Sequence, residues 1–177
     1  ERIHSHGLTV SVPRLPGHGT NAEYFRATDW KDWLRRATDE YIELRSSHSE
    51  VMIGGQSMGA LLTILIASRF PVSRVALFAP ALLASNPMIA LTPLLRFFVP
   101  PYRIETASLY ALMRAARTSL PRVTAPTLTV ASENDDAVPI KVVDLIEHRI
   151  GSSEVRSIRL KESGHVVTAG IEKETVA

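Results

Sequence analysis

Apolar and polar positions along the chain follow two alternating periods. Short runs rich in apolar and β-branched residues recur at Leu8 to Val12, Val51 to Gly54, Val75 to Ala79 and Thr127 to Ala131, and these, with Val155 to Leu160, where Arg156 and Arg159 interrupt the apolar positions, predict strands. Segments with helical spacing lie between them. Trp30, Trp33, Leu34, Ala37, Tyr41 and Leu44 keep one helical face, and Asp29 is placed to cap it, so a helix is expected from there to about Arg45. Further helices are expected from about Met58 to Arg69, from Ala107 to Leu120, and from Pro139 in a first turn to about Ile150, with Gly151 as the stop. Pro16-Gly17-His18-Gly19 opens a stretch expected to be loop as far as Asp29, and Val166 begins a final segment. Strands alternating with helices predict an α/β fold, a mostly parallel sheet with helices on both faces.

The alternation fails between Pro80 and Pro126. There Pro87, Pro93, Pro100 and Pro101 interrupt apolar residues that include Leu94, Leu95, Phe97 and Phe98, the pattern of an insertion. No internal repeat is present. The expected organisation is one domain over residues 1–177, with a cap insertion at about 81–120.

Composition narrows this picture. At 177 residues, with 45% hydrophobic and 21% charged residues, the chain can bury a core and is neither disordered nor fibrous in character. The net charge of +2 comes without a basic cluster, so nucleic acid is not an implied partner. With no cysteine, disulfides and thiolate metal sites are excluded, and compartment stays open. The longest apolar run, Ala60 to Ala67, falls well short of the roughly 20 residues that span a bilayer. The start at Glu1, without an initiator Met or the plan of a signal peptide, raises the expectation that the gene product begins further upstream.

The chemistry enters at Gly55-Gln56-Ser57-Met58-Gly59, where a predicted strand feeds directly into a predicted helix. That is the layout of a nucleophile elbow, a strained turn that lifts a serine hydroxyl clear of the sheet. Backbone crowding at such a turn calls for small residues two before and two after the serine, here Gly55 and Gly59. The bland alternative is a glycine-rich turn with an incidental serine. A serine hydroxyl is a weak nucleophile and needs a base, which in turn needs an orienting acid. Candidates follow two later strands: Asp135 and Asp136 in Ser132-Glu133-Asn134-Asp135-Asp136-Ala137-Val138-Pro139, and His165 in Lys161-Glu162-Ser163-Gly164-His165. Both segments lie past the C-terminal ends of strands, where open α/β sheets place their sites. Asp144 and Glu162 are rival acids, the first inside a predicted helix and the second very near His165.

With these residues the chain resembles the serine carboxylesterase and monoacylglycerol lipase branch of the α/β-hydrolase superfamily. The matching segments run from Leu8 to about Thr168: Pro13-Arg14-Leu15-Pro16-Gly17-His18-Gly19-Thr20, Trp30-Lys31-Asp32-Trp33, the Ser57 pentapeptide, Asp135-Asp136-Ala137-Val138-Pro139 and Ser163-Gly164-His165-Val166-Val167-Thr168. The resemblance implies Ser57 as nucleophile, His165 as base and Asp135 as acid. Asp135 is preferred to Asp136 because the family's acid usually lies four residues before the proline, here Pro139. The backbone N–H of Met58 is the implied oxyanion donor. A second donor is expected from a loop upstream of the matched region, and His6-Gly7, directly before a strand, is not assigned to that role. The expected fold is thus an α/β-hydrolase domain with its N-terminal strands missing and a helix beyond His165 cut short. No cofactor or metal is implied, and the implied partner is a small ester with an apolar acyl group.

Several residues have plainer readings. His18 is expected to be structural, and His4, His6, His48 and His148 lack partners at ligand spacing. Trp30 and Trp33 read as helix packing. An acyltransferase or thioesterase could use the same triad. From another class, a catalytically silent relative acting as a binding module, or an inactive fragment, fits the missing oxyanion segment.

Overall fold

The computed structural model describes residues 7–86 and 105–176. In chain order they form α1 (Ala22–Arg26), α2 (Trp30–Ser47), β1 (Met52–Gln56), α3 (Met58–Ala67), β2 (Arg74–Phe78), α4 (Glu105–Ser119) with a 3-10 turn at Leu120–Arg122, β3 (Thr127–Ser132), α5 (Val142–Arg149), β4 (Val155–Leu160) and α6 (Lys173–Val176). The four strands make one sheet in the order β1-β2-β3-β4, every pair parallel. All four C-terminal ends therefore open on the same edge.

Register sets the faces. Ile53, Val75, Thr127 and Val155 lie in one row, with Gly55, Leu77, Thr129 and Ser157 in the next row of the same face. Helix α3 belongs to the large core cluster with this face: Leu61, Ile64 and Leu65 are fully buried with Leu77, with Leu112 of α4 and with Ile146 of α5. Each such side chain contributes about 1.5–3 kcal/mol by leaving water. Because α3 is apolar all round and buried on every side, the turn that precedes it is held on a rigid support. The second face carries a smaller cluster, Val130, Leu160 and Val167, with Phe78, Ile158 and Val176 of α6 packed against it.

Helix α2 starts where its cap predicts. The Asp29 carboxylate accepts from the N–H groups of Lys31 and Asp32 at 2.7 and 3.3 Å, while the Asp32 carboxylate accepts from Asp29 N–H at 3.0 Å, a complete capping box.

Four expectations change. Leu8 to Val12 joins no ladder: Val10 and Val12 are exposed, and side chains tie the segment to α2, through Ser11 to Glu40 and through Thr9 to His48 at 3.2 Å. An apolar alternation makes a strand only where a neighbouring edge completes its hydrogen bonds. The stretch expected to be loop before Asp29 contains α1, capped by Asn21, whose side chain accepts from Tyr24 N–H at 2.8 Å. Helix α5 starts at Val142, not in the turn of Pro139, because Val142 and Val143 first bond three residues back to Pro139 and Ile140. Gly59, expected to be small by necessity, has open space at its Cβ position. The expected insertion at about 81–120 lies partly outside the described residues, which include 81–86 and α4.

Candidate active site

Ser57 occupies the junction of β1 and α3 with φ 53° and ψ −115°, a conformation non-glycine residues rarely adopt. Such strain costs on the order of 1–3 kcal/mol and persists only where the surroundings enforce it. The enforcement is visible. Ser57 N–H donates to the Phe78 carbonyl at 2.8 Å, and the Ser57 carbonyl accepts from Ala60 and Ala81 N–H at 3.2 and 3.3 Å. A Cβ on Gly55 would lie 2.3 Å from the Gly59 carbonyl carbon, so only glycine fits there. Ala79, just past β2, also has positive φ, 41°, and its N–H donates to Val130 at 2.7 Å, which fixes the neighbouring strand end. Ser57 stands at an N-cap position yet makes no side-chain capping bond, which leaves its hydroxyl for another partner.

That partner is His165, whose Nε2 lies 2.8 Å from Ser57 Oγ. Its Nδ1 lies 2.8 Å from Asp135 Oδ2. A carboxylate only accepts, so Nδ1 carries the proton, and Nε2 is left to accept from the serine hydroxyl. The other oxygen, Asp135 Oδ1, accepts from Ala137 and Val138 N–H at 2.9 and 3.0 Å. The Asp135 side chain is completely buried, whereas His165 keeps 26% of its side chain exposed. Asp136, next along, is exposed.

Of the other residues singled out in the sequence, Met58 is the first residue of α3, where N–H groups have no acceptor inside the helix. Asp144 pairs with Arg159 at 2.7 Å, and this bond holds its carboxyl below the usual range. Glu162 is exposed, and its carbonyl accepts from Asn134 Nδ2 at 3.2 Å. His18 packs edge-on against Phe25 and Trp33, at centroid distances of 5.1 and 5.2 Å. Trp33 is buried in the core, and Trp30 packs against it. His48 and His148 bond to the carbonyls of Leu44 and Asp144 at the end of their own helices. His4 and His6 lie outside the described residues. Among the described residues, no group of three or more His, Asp or Glu is placed to hold a metal. No helix among them is long and apolar enough to cross a membrane.

The residues that hold the histidine loop carry little signal in the sequence. Gln56, beside the nucleophile, accepts from Thr168 Oγ1 at 2.9 Å, and its Nε2 approaches the His165 carbonyl at 3.5 Å. Ser132 Oγ donates to the Ser163 carbonyl. Glu172 folds back to accept from the N–H groups of Lys161, Glu162 and Ser163 and from the Ser163 hydroxyl. Led by the Lys161 N–H, these donors lower its carboxyl to about 2. A depressed carboxyl favours the folded state above the ordinary carboxylate range, a contribution lost as pH falls through about 2. Only the Ser163 in Ser-Gly-His was a signal in the sequence, since a carboxylate that returns through space leaves no spacing to read.

Comparison with known proteins places this geometry in context. The model of a family described as the alpha/beta hydrolase family matches residues 2–170. A thermostable monoacylglycerol lipase from Bacillus sp. (strain H-257) is 30% identical over 185 residues, which covers 92% of this chain and 73% of that one. A carboxylesterase from Bacillus subtilis (strain 168) is 19% identical over 196 residues, covering 98% and 80%. A solved structure from work on LipS and LipT, two metagenome-derived lipolytic enzymes, matches with a TM-score of 0.89 at 27% identity, over 98% of this chain and 80% of that one. The monoacylglycerol lipase of Paleococcus ferrophilus matches with a TM-score of 0.66 at 16% identity over 84% and 72%, a likeness of fold alone.

Proposed function

The chain belongs to the alpha/beta hydrolase family, and on that premise we propose that it is a serine hydrolase of carboxylic esters, resembling carboxylesterases and monoacylglycerol lipases, that works through an acyl-enzyme on Ser57. The observation that carries this reading is the unbroken relay of two 2.8 Å contacts from Asp135 through His165 to Ser57. The similarity to a monoacylglycerol lipase and a carboxylesterase supports the ester as substrate class. A relay already assembled favours an enzyme over a silent binding module.

In this reading His165 Nε2 takes the Ser57 proton as Oγ bonds to the ester carbonyl carbon, and the carbonyl π pair moves onto its oxygen. The tetrahedral intermediate collapses, the bond to the leaving alkoxide breaks, and His165 returns the proton to that oxygen. Water repeats both steps on the acyl-enzyme and frees the acid. Neither step passes a proton to Asp135. With Oδ1 occupied by two backbone donors, Oδ2 faces the imidazole and stabilises its cation. Met58 N–H supplies an oxyanion donor, a contact whose loss typically costs about 3–4 kcal/mol in the transition state. We assign the part of the 81–120 insertion that precedes α4 to a cap, whereas α4 itself packs in the main core, with Leu112, Met113 and Ala116 buried beside α3.

Turnover of p-nitrophenyl esters of short and medium acyl length tests the proposal. Ser57→Ala is expected to lower kcat by at least about 10⁴-fold. Equal turnover by the variant and the parent chain refutes it.

A further inference from the structure

The loop that carries His165 runs from the end of β4 to α6 and is closed by a single carboxylate. Glu172 Oε1 accepts from Lys161 N–H at 3.1 Å, and Oε2 accepts from Glu162 N–H, Ser163 N–H and Ser163 Oγ at 3.0, 2.8 and 2.9 Å. Glu172 N–H returns a bond to Ser163 Oγ at 3.3 Å. Gly170 permits this closure, because a Cβ there would stand 3.0 Å from Ser163 Oγ. Ser163 is itself buried and is fastened on its other side, where its carbonyl accepts from Ser132 Oγ. Ser132 Oγ also accepts from the N–H of Asn134 at 3.3 Å, one residue before Asp135. Glu172, Ser163, Ser132 and Asn134 thus link the loop of the base to the turn of the acid.

From this continuity we infer that Glu172 is a positioning residue of His165: it fixes residues 161–163 so that the imidazole meets Asp135 and Ser57 together. It touches neither substrate nor reacting atoms. The inference rests on the reading of Ser57, His165 and Asp135 as a triad. Its physical basis is the steepness of proton transfer with geometry, since Nε2 accepts from Ser57 at 2.8 Å only while the loop backbone stays in place. A carboxylate held ionised down to about 2 keeps its accepting oxygens across the neutral and mildly acidic range.

Glu172→Ala removes every accepting oxygen, while Glu172→Gln keeps the shape and one of the two. Kinetics are measured on both, with the folded fraction taken from circular dichroism. For Glu172→Ala, kcat per folded molecule is expected to fall about 10- to 100-fold with KM within about twofold, and Glu172→Gln is expected to fall between it and the parent. A loop with only a structural role lowers the melting temperature and leaves that kcat unchanged, and this result overturns the inference. Should Glu172→Ala fail to fold, Glu172→Gln and Ser163→Ala are judged by the same criterion. Ser57→Ala is assayed alongside. If it is inert while the Glu172 variants keep the parent kcat, only the positioning role is lost; if it turns over normally, the triad reading fails first.

Discussion

The turn after β1 and the turn after β3 serve the same site with opposite constructions. At the first, Ser57 is partly exposed, its backbone is in a left-handed region at φ 53°, and its hydroxyl makes no local cap. At the second, Asp135 is buried, and one of its oxygens is saturated by Ala137 and Val138 N–H. The difference follows from what each group must do. A nucleophile has to stay reachable with its hydroxyl uncommitted to its own backbone, so the chain accepts strain to present it. An orienting carboxylate has to stay still, so the chain buries it, and two backbone donors offset the cost of burying its charge.

Substitutions at the two turns should separate along this line. The largest effect after removal of Ser57 itself is expected for Asp135→Asn. The amide still accepts from Ala137 and Val138 but turns its NH₂ toward Nδ1, which places the imidazole proton on Nε2 and stops it accepting from Ser57. By analogy with the serine protease case, kcat should fall about 10⁴-fold. Asp136→Asn, at the exposed neighbour, should stay within about twofold of the parent by the same assay. Equal losses would erase the contrast between a buried anchor and a surface charge.

Backbone crowding gives the next largest effect. Gly55→Ala drives a methyl into the Gly59 backbone 2.3 Å away, and denaturant unfolding should register a loss of about 1–3 kcal/mol or more. Gly59→Ala meets nothing within 4 Å and faces a cleft of about 270 Å³. Its better helix propensity should add up to about 1 kcal/mol. The smallest effect sharpens the strain argument: Ser57→Gly should be about 1 kcal/mol more stable than Ser57→Ala, because both lack the hydroxyl and only the alanine keeps a Cβ at positive φ. Equal stabilities would mean that the elbow is not strained.

Much of this was legible in the chain for physical reasons. Strands buried in a parallel sheet read as continuous apolar runs, as Val75 to Ala79 does for the strand found at Arg74–Phe78, and Val155 to Leu160, although Arg156 and Arg159 interrupt it, keeps its expected limits. Asp29 announced α2 because a side-chain cap is a local event. Leu8 to Val12 was not legible, since alternation says nothing about whether an edge is there to pair with. Helix α1 has only five residues, too few to display a period, and its sole announcement was Asn21. At the site, Ser57 and His165 could be read because an elbow and a following base are demanded by chemistry. The separation of Asp135 from Asp136 rests on which side chain the turn encloses. Glu172 acts by folding back from α6's edge to the end of β4, a contact made only in three dimensions.

A serine activated by His165 can be captured covalently. A fluorophosphonate probe should add one mass equivalent to the parent chain, located by peptide mapping on the segment that contains Ser57, with no addition to Ser57→Ala and strongly slowed addition to His165→Ala. Equal labelling of the parent and Ser57→Ala, or a label mapped to another residue, would rule out Ser57 as the activated nucleophile.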